Sequence, residues 1–342
     1  MPIDKGDSVA PPAVPARPPG DPPIGLTPRL QVLAAAALFS TGGVAIKGVT
    51  LDAWQVASLR SGVAALALAV MLPAGWRALR RHRLTLGLVG VGLAYGATLL
   101  LFVLGNKLTT SANTIFLQST APLYVLLLAP WLLAEPVRRR DVAYMLALAV
   151  GLGLFFVGQR QPDALAPDPF TGNLLAVASG VTWALTLIGL RRVGRGGAAS
   201  AGTPMADGAP AEPDAPPDLG AAAVLLGNAF AFAIALPFAL ADPAPLAAAD
   251  AADWAVVAYL GAIQIGLAYV LLTRAFRRVG ALEASLLLLV EPVLNPIWTW
   301  LALGEEPGRW ALAGGAVILA ATAAKAAFDA RRATRCGGII AP

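Results

Sequence analysis

The residues best suited to chemistry are charged and polar side chains inside long apolar runs. Glu291 and Asn295 lie one helical turn apart in the apolar run 281–303, and Pro292 lies between them. The low dielectric of such a run disfavours a charged carboxylate, which suits Glu291 to proton exchange. Because a proline within a helix frees a backbone carbonyl, carboxyl, amide and carbonyl groups can converge there on a substrate amine or a proton. A protonated glutamate that hydrogen-bonds a neighbouring helix is the structural alternative.

Two basic residues lie in similar surroundings. Arg60 lies about two turns inside the run 54–73, which predicts a cation that faces a cavity and binds a carboxylate or another anionic group. A structural ion pair, or a side chain that reaches outward to the membrane surface, is the alternative for Arg60. Lys47 lies near the end of its run, where it is either a second substrate contact or an interfacial anchor.

Further polar side chains and prolines occupy the middle of other apolar runs. Tyr95, Gln118 and Gln264 are candidates for the lining of a polar cavity, with hydrogen bonding between helices as the equal alternative. A proline inside a helix removes one backbone hydrogen bond and can kink the helix. The candidate hinges are Pro122, Pro292 and Pro296.

The composition requires a membrane as the main solvent. Of the 342 residues, 57% are hydrophobic and only 13% are charged, and the mean hydropathy is +0.69; soluble domains carry roughly a quarter charged residues. The basic residues form short clusters between apolar runs without interleaved aromatic residues, which argues against nucleic-acid binding. The only histidine, His82, and the only cysteine, Cys336, form no metal or disulfide pattern, and we expect no metal, cofactor or catalytic residues.

Ten apolar runs are long enough to cross a bilayer, which takes about 20 residues. With the N-terminus inside, 20 of the 25 lysines and arginines fall on the cytoplasmic side and four fall outside, as the positive-inside rule requires. The sequence therefore predicts an all-α membrane protein with both termini cytoplasmic, multi-pass in a bacterial-type inner membrane. The predicted spans are 30–49, 54–73, 84–105, 111–133, 142–158, 171–190, 219–240, 254–273, 281–303 and 310–328.

The two halves of the chain share a pattern. An offset of 170 residues aligns Pro122 with Pro292 and Glu135 with Glu305, and an offset of 144 aligns Lys47 with Arg191. Each half then has five helices, and an odd number makes the two repeats inverted in the membrane, an arrangement typical of secondary transporters. Chance similarity between Leu- and Ala-rich segments is the alternative.

These repeats define the predicted domain organisation. The proline-rich leader and the Gly/Ala/Pro-rich stretch between the spans at 171–190 and 219–240 lack apolar periodicity, which predicts flexible segments. The predicted parts are a disordered cytoplasmic tail (1–28), the first five-helix repeat (29–158), a periplasmic linker (159–170), the second repeat (171–328) with a flexible cytoplasmic insert (194–218), and a cytoplasmic tail (329–342).

The segments LFSTGGVAIK (38–47), TTSANTIFLQSTAPLYVLLLAPWLLAE (109–135) and ALEASLLLLVEPVLNPIWTWLALGEE (281–306), together with Arg60, resemble the drug/metabolite transporter superfamily in its EamA-type, ten-helix branch. The shared pattern is a small or polar helix start, a proline in mid-helix and a glutamate at the helix end. The resemblance implies export or exchange of small metabolites, often amino acids or drug-like compounds, driven by an ion gradient or by a counter-substrate. It implies no universal functional residue.

The sequence thus predicts a secondary transporter that works by alternating access, with a small-molecule substrate, the lipid bilayer and protons or a counter-substrate as its partners. An intramembrane enzyme is disfavoured, because no nucleophile lies with a base and paired intramembrane aspartates are missing. No Walker motif is present, so ATP is not the direct driver unless a separate subunit supplies it. A protein that flips lipid-linked head groups and a solute importer remain as alternatives. Substrate, direction and oligomeric state are not set by the sequence.

Overall fold

The computed structural model describes residues 26–82, 84–157, 161–200, 217–275, 278–279 and 281–337. These residues form helices and turns, and their only bridge pairing is an isolated one between Asp163 and Ala166. Residues 1–25 of the predicted tail lie outside the described part, and the first helix already begins at Leu26.

The described residues form sixteen α-helices and one π-helical segment. In chain order they are α1 (Leu26–Ser40), α2 (Gly42–Lys47), α3 (Ala53–Met71), α4 (Pro73–His82), α5 (Leu86–Leu108), α6 (Ser111–Gln118), α7 (Ala121–Leu132), α8 (Arg139–Val157), α9 (Pro169–Ser200), α10 (Pro217–Ala239), α11 (Ala244–Ala248), α12 (Ala251–Ala258), the π-helical segment (Tyr259–Leu267), α13 (Ala268–Ala275), α14 (Ala281–Leu288), α15 (Val290–Leu303) and α16 (Arg309–Gly337).

Within the described residues, nine helices or helix pairs are long and apolar enough to cross a membrane. A tenth apolar helix, Asp141–Val157, is shorter and corresponds to the predicted span 142–158. The chain is therefore a multi-pass helical membrane protein, and the count of ten spans stays a prediction. The nine spans are Leu26–Lys47, Ala53–Met71, Leu86–Leu108, Ser111–Leu132, Pro169–Val193, Leu219–Ala239, Ala251–Ala275, Glu283–Leu303 and Arg309–Asp329.

Three of these spans are interrupted in the middle of their length. α6 gives way to α7 at Ser119 and Thr120, directly before Pro122, and α14 gives way to α15 at Leu289, before Pro292. Each proline thus occupies the first turn of a new helix, where its missing N–H has no intrahelical partner to lose. The third interruption, at Thr41 between α1 and α2, has no proline; the Thr41 hydroxyl donates to the Leu38 carbonyl at 2.7 Å.

Small residues bring the helices close together. The backbones of α5 and α10 approach so closely that a Cβ atom at Gly96 would lie 2.9 Å from the Gly227 carbonyl oxygen. A Cβ atom at Gly92, one turn earlier, would lie 2.9 Å from Leu226 Cβ. The GxxxG spacing of α5 therefore serves helix packing. α5 also packs along α9, α3 along α10, and α8 along α16.

Parts of the segments predicted to be flexible are helical in the structure. α9 continues to Ser200, so the first seven residues of the predicted insert 194–218 are helical, and α10 begins at Pro217. Residues 201–216 lie outside the described part. α16 likewise continues to Gly337, inside the predicted tail 329–342. Residues 194–200 include three glycines, which have low helix propensity, so their helical form depends on continuing a long helix that is already nucleated. The short helices α4 and α11, between spans, were not predicted.

Candidate functional site

Two tyrosines from opposite halves of the chain meet inside the helix bundle. The Tyr95 hydroxyl on α5 donates to the Tyr269 hydroxyl on α13, with an O–O distance of 2.6 Å. Both tyrosines interact electrostatically with Arg60 of α3 and with Glu291 of α15. The structure therefore brings three of the predicted residues, Arg60, Tyr95 and Glu291, to one place. We call these three residues and Tyr269 the central cluster.

The two ionisable members of the central cluster, Arg60 and Glu291, form no ion pair with each other. Arg60 is only 2% exposed, its Nε atom has no hydrogen-bond partner, and no acid among the described residues lies within ion-pair distance of its guanidinium. Glu291, in the other half of the chain, is partly buried and likewise forms no ion pair with a described residue. A buried guanidinium without an anion is costly. The central cluster therefore has the electrostatics of a binding site for a group that carries a negative charge.

Aromatic rings from two further helices border the central cluster. Phe39 of α1 meets Tyr269 edge to face, with ring centroids 5.3 Å apart. Trp183 of α9 meets Tyr95 at 5.9 Å and a tilted angle. Phe39 and Trp183 occupy matching positions in the two halves at the offset of 144 residues. The cluster is therefore lined with apolar ring surface as well as with charge.

The interruption of the first span places unpaired polar atoms next to the cluster. Gln264, in the π-helical segment, donates to the Phe39 carbonyl at 3.3 Å, while its Oε1 atom is buried without a partner. Asn295 is buried, and neither atom of its amide has a partner. A Cβ atom at Gly43 would lie 2.7 Å from Asn295 Oδ1 and 2.8 Å from Ser111 Oγ. The absence of a side chain at Gly43 thus leaves space for the Asn295 amide, and Gly42 does the same for the Gln264 amide.

Lys47 lies away from the central cluster, at the end of α2. Its ammonium group is 2.8 Å from Glu305, and the two side chains are 2% and 1% exposed. Glu305 also accepts a hydrogen bond of 2.7 Å from the backbone N–H of Ser111, at the start of α6. Lys47 donates in addition to the Leu165 carbonyl. Glu305 is therefore buried inside the bundle, although it lies at a helix end.

A second ion pair joins the positions that the repeat offsets make equivalent to Lys47 and Glu305. Arg191 of α9 is 3.7 Å from Glu135, and these side chains are 15% and 39% exposed. The N–O distance of this pair is longer than that of the pair Lys47–Glu305, and its side chains are far more exposed to solvent. Since the offsets of 144 and 170 align Lys47 with Arg191 and Glu305 with Glu135, the two ion pairs are equivalent contacts of the two halves.

The helices that carry the two glutamates end in the same way. Ala134 and Gly304, each directly before its glutamate, have positive φ angles of 56° and 67°. The N–H of Glu135 donates to the carbonyl six residues earlier, and so does the N–H of Glu305, each at 3.3 Å. Each helix thus ends at a residue in the left-handed conformation, which is common at helix C-termini. A left-handed alanine is uncommon. The shared left-handed conformation of Ala134 and Gly304, which are 170 residues apart, therefore supports the alignment of the two halves more strongly than the sequence pattern alone.

The remaining predicted residues have other partners. Gln118 on α6 donates to the Ser179 hydroxyl of α9 at 2.7 Å, so it joins two helices. Pro296 lies inside α15, where it leaves the Pro292 carbonyl without its helical donor. Of the central cluster, only Tyr269 was absent from the predicted residues. A tyrosine in the middle of an apolar span is the signal that would have identified it, because its hydroxyl requires a partner there.

Comparisons with known proteins agree with this architecture. A search of curated proteins finds no match. A solved structure, described only as the crystal structure of a protein, matches 90% of this chain and 98% of its own, with a TM-score of 0.53 and 19% sequence identity; it shows a similar fold. The sequence model of the EamA-like transporter family matches residues 28–157 and 216–324, together more than half of the chain. The chain thus belongs to the EamA-like transporter family.

Proposed function

We propose that this protein is a secondary transporter of a bacterial-type inner membrane that exports or exchanges small metabolites by alternating access. The observation that carries the proposal is the pair of ionisable side chains, one basic and one acidic, in the central cluster. Arg60 and Glu291 lie in spans of opposite halves, beside one pair of tyrosines, and neither has an ionic partner among the described residues. A binding site between two repeats near the midplane is the arrangement of many secondary transporters.

The charges favour an amino-acid-like substrate. In this proposal, Arg60 binds the substrate carboxylate and Glu291 binds its amine, because each charge then gains the partner that the protein does not supply. Phe39 and Trp183 border the cluster and contact an apolar or aromatic side group. A drug-like amine would use Glu291 and the rings alone.

Alternating access would use the two halves as inverted repeats. The matched helix ends at Ala134 and Gly304, and the matched ion pairs, support this symmetry. With both termini cytoplasmic, the buried pair Lys47–Glu305 lies at the outer face of the membrane. The more exposed pair Arg191–Glu135 then lies at the inner face. In the proposed cycle, the pair Lys47–Glu305 closes the outer entrance while the pair Arg191–Glu135 weakens and the inner entrance opens. In the opposite state, Arg191–Glu135 closes the inner entrance and Lys47–Glu305 separates.

The substrate class can be tested in two steps. Cells that lack or overexpress the protein are first screened with a library of small metabolites for a change in efflux. The compound found is then compared, in proteoliposomes with purified protein, with its amide, which lacks the carboxylate, and with its N-acetyl form, which lacks the amine. Wild-type protein should transport the parent compound in clear preference to both.

Variants of the central cluster identify the two contacts. Arg60→Gln should lose the preference for the parent compound over its amide and keep the preference over its N-acetyl form, whereas Glu291→Gln should do the reverse. Arg139→Gln, which removes an exposed arginine, is the matched control and should behave as wild type. Equal discrimination by Arg60→Gln and wild-type protein would refute the carboxylate contact. Accumulation rather than efflux in right-side-out vesicles would identify an importer.

A further inference from the structure

A short helix between the second and third spans carries two faces of different character. α4 (Pro73–His82) follows α3 after one residue. Its inner face packs on α10 through small residues: Ala78 is fully buried together with Leu219 and Ala222, and a Cβ atom at Gly75 would lie 3.0 Å from the Ala221 carbonyl oxygen. Because Gly75 and Ala78 leave no room between the helices, α4 is held firmly against the bundle.

The opposite face of α4 is basic and aromatic. Pro73, Trp76, Arg77 and Arg80 follow one another at the spacing of a single helical face and line a cleft with a volume of about 380 Å³. Trp76 is 47% exposed, and both arginines are exposed. No acid in the described part of the chain lies within ion-pair distance of Arg77 or Arg80. Their positive charge is therefore unopposed within that part of the protein.

We propose that this cleft binds the phosphate of an anionic phospholipid headgroup between Arg77 and Arg80. α4 connects the ends of two membrane spans, so its exposed face lies at the level of the lipid headgroups. A tryptophan beside arginines on an amphipathic helix is suited to this level, because the indole ring is apolar and its N–H is polar. The cleft volume lies in the lower part of the range of small-ligand sites, about 300–1,000 Å³.

The occupant is a lipid rather than a soluble anion for two reasons. The cleft opens at the membrane surface, where anionic headgroups are concentrated and each nearby basic residue strengthens their binding roughly fivefold at moderate ionic strength. Trp76 adds an apolar surface that a lipid glycerol backbone and upper acyl chain can cover and that inorganic phosphate cannot. The inference is independent of the transported substrate.

Fluorescence quenching at Trp76 tests the proposal. The full-length protein is placed in phosphatidylcholine vesicles that contain an equal minority of either brominated phosphatidylglycerol or brominated phosphatidylcholine. The emission of Trp76→Phe is subtracted from that of wild-type protein, which isolates the signal of this tryptophan among the eight in the chain. Quenching should be several-fold stronger with the brominated anionic lipid, and the difference should shrink at high salt because ions screen the arginines.

Paired variants distinguish a site from general surface charge. Arg77→Gln/Arg80→Gln should abolish the preference for anionic lipid, and Arg77→Lys/Arg80→Lys should retain most of it. Arg138→Gln/Arg139→Gln removes the same charge from another exposed cluster and should leave the preference unchanged. Equal quenching of wild-type Trp76 by the two brominated lipids would overturn the proposal, and so would an equal loss of preference in the control variant.

Discussion

Lys47→Met should open the outer entrance of the transporter. In the structure, the Lys47 ammonium lies 2.8 Å from Glu305, and both side chains are almost completely buried. The variant leaves the Glu305 carboxylate with the N–H of Ser111 as its remaining hydrogen-bond donor. Since the outer entrance of the proposed opposite state is open to water, the carboxylate is hydrated there. The variant therefore destabilises the closed state in particular.

The expected size of the effect follows from the burial of the pair. Removing one partner of a buried ion pair costs about 3–5 kcal/mol, which shifts the equilibrium between closed and open states by a factor on the order of a hundred or more. The pair Arg191–Glu135 is 3.7 Å long and partly exposed. Arg191→Met should therefore cost at most about 1 kcal/mol, as is typical of solvated pairs. The two equivalent pairs should respond very differently.

Labelling of a buried position measures this shift. In the parent protein for this assay, the only cysteine is removed by Cys336→Ser, and a thiol is introduced by Ser40→Cys at a fully buried position next to the interruption of the first span. A membrane-impermeant maleimide added from outside to right-side-out vesicles should label the thiol at position 40 much faster in Lys47→Met than in the parent protein. The double variant Lys47→Met/Glu305→Gln, which leaves no buried charge at this pair of positions, should return toward the parent rate.

Lys107→Met provides the matched control. Lys107 also lies near the outer end of a span, in α5, and donates to the Val49 carbonyl at 2.9 Å. No acid among the described residues lies at ion-pair distance from it. Its loss should leave the labelling rate close to that of the parent. If Lys47→Met is folded and monodisperse but labels at the parent rate, the ion pair does not hold the outer entrance closed. If Lys107→Met increases labelling equally, the effect belongs to the helix ends in general.

Three further predictions test the site and the topology. Glu291→Gln keeps the shape of the side chain and cannot titrate, so proteoliposomes with an imposed pH gradient should lose gradient-driven transport but keep exchange; unchanged pH dependence would exclude proton coupling through this residue. Gly227→Ala would place a Cβ atom against the Tyr95 ring and should reduce transport at normal expression, whereas Gly220→Ala, which meets open space, should not. A reporter fused after Asp207 should read as cytoplasmic, and a periplasmic reading would contradict the inverted repeat.

The sequence predicted the helical membrane class because apolar runs of sufficient length have few other stable structures. It also indicated where two spans would be disrupted, since Pro122 and Pro292 cannot donate to a preceding turn. The break at Thr41 and the π-helical segment Tyr259–Leu267 have no proline. They depend on contacts between distant segments, such as the 2.8 Å hydrogen bond between the hydroxyls of Thr41 and Tyr259. No local pattern encodes such a contact.

The partners of charged residues were harder to predict than their positions. Lys47 and Glu305 each lie at the end of an apolar run, and at such a place either residue is commonly an anchor in the headgroup region. Their pairing requires that the end of α2 lie against the end of α15, which is a property of the packed bundle. The repeat offsets contained part of this information, because they aligned the two ion pairs before any contact was known.

The helix ends and the aromatic rings are alike in the two halves of the chain, whereas the ionisable residue Glu291 occurs in one half only. The helix ends at Ala134 and Gly304, and the rings of Phe39 and Trp183, occur in both halves, and equivalent halves can exchange conformations at small energetic cost. The charge does not follow this symmetry: at the offset of 170, the counterpart of Glu291 is Ala121. In the proposed function, a substrate with a carboxylate and an amine therefore has one favoured orientation in the central cluster. If the contacts with Arg60 and Glu291 persist in the outward-open and inward-open states, the substrate keeps that orientation throughout the cycle. The two halves of the protein then exchange conformations around it.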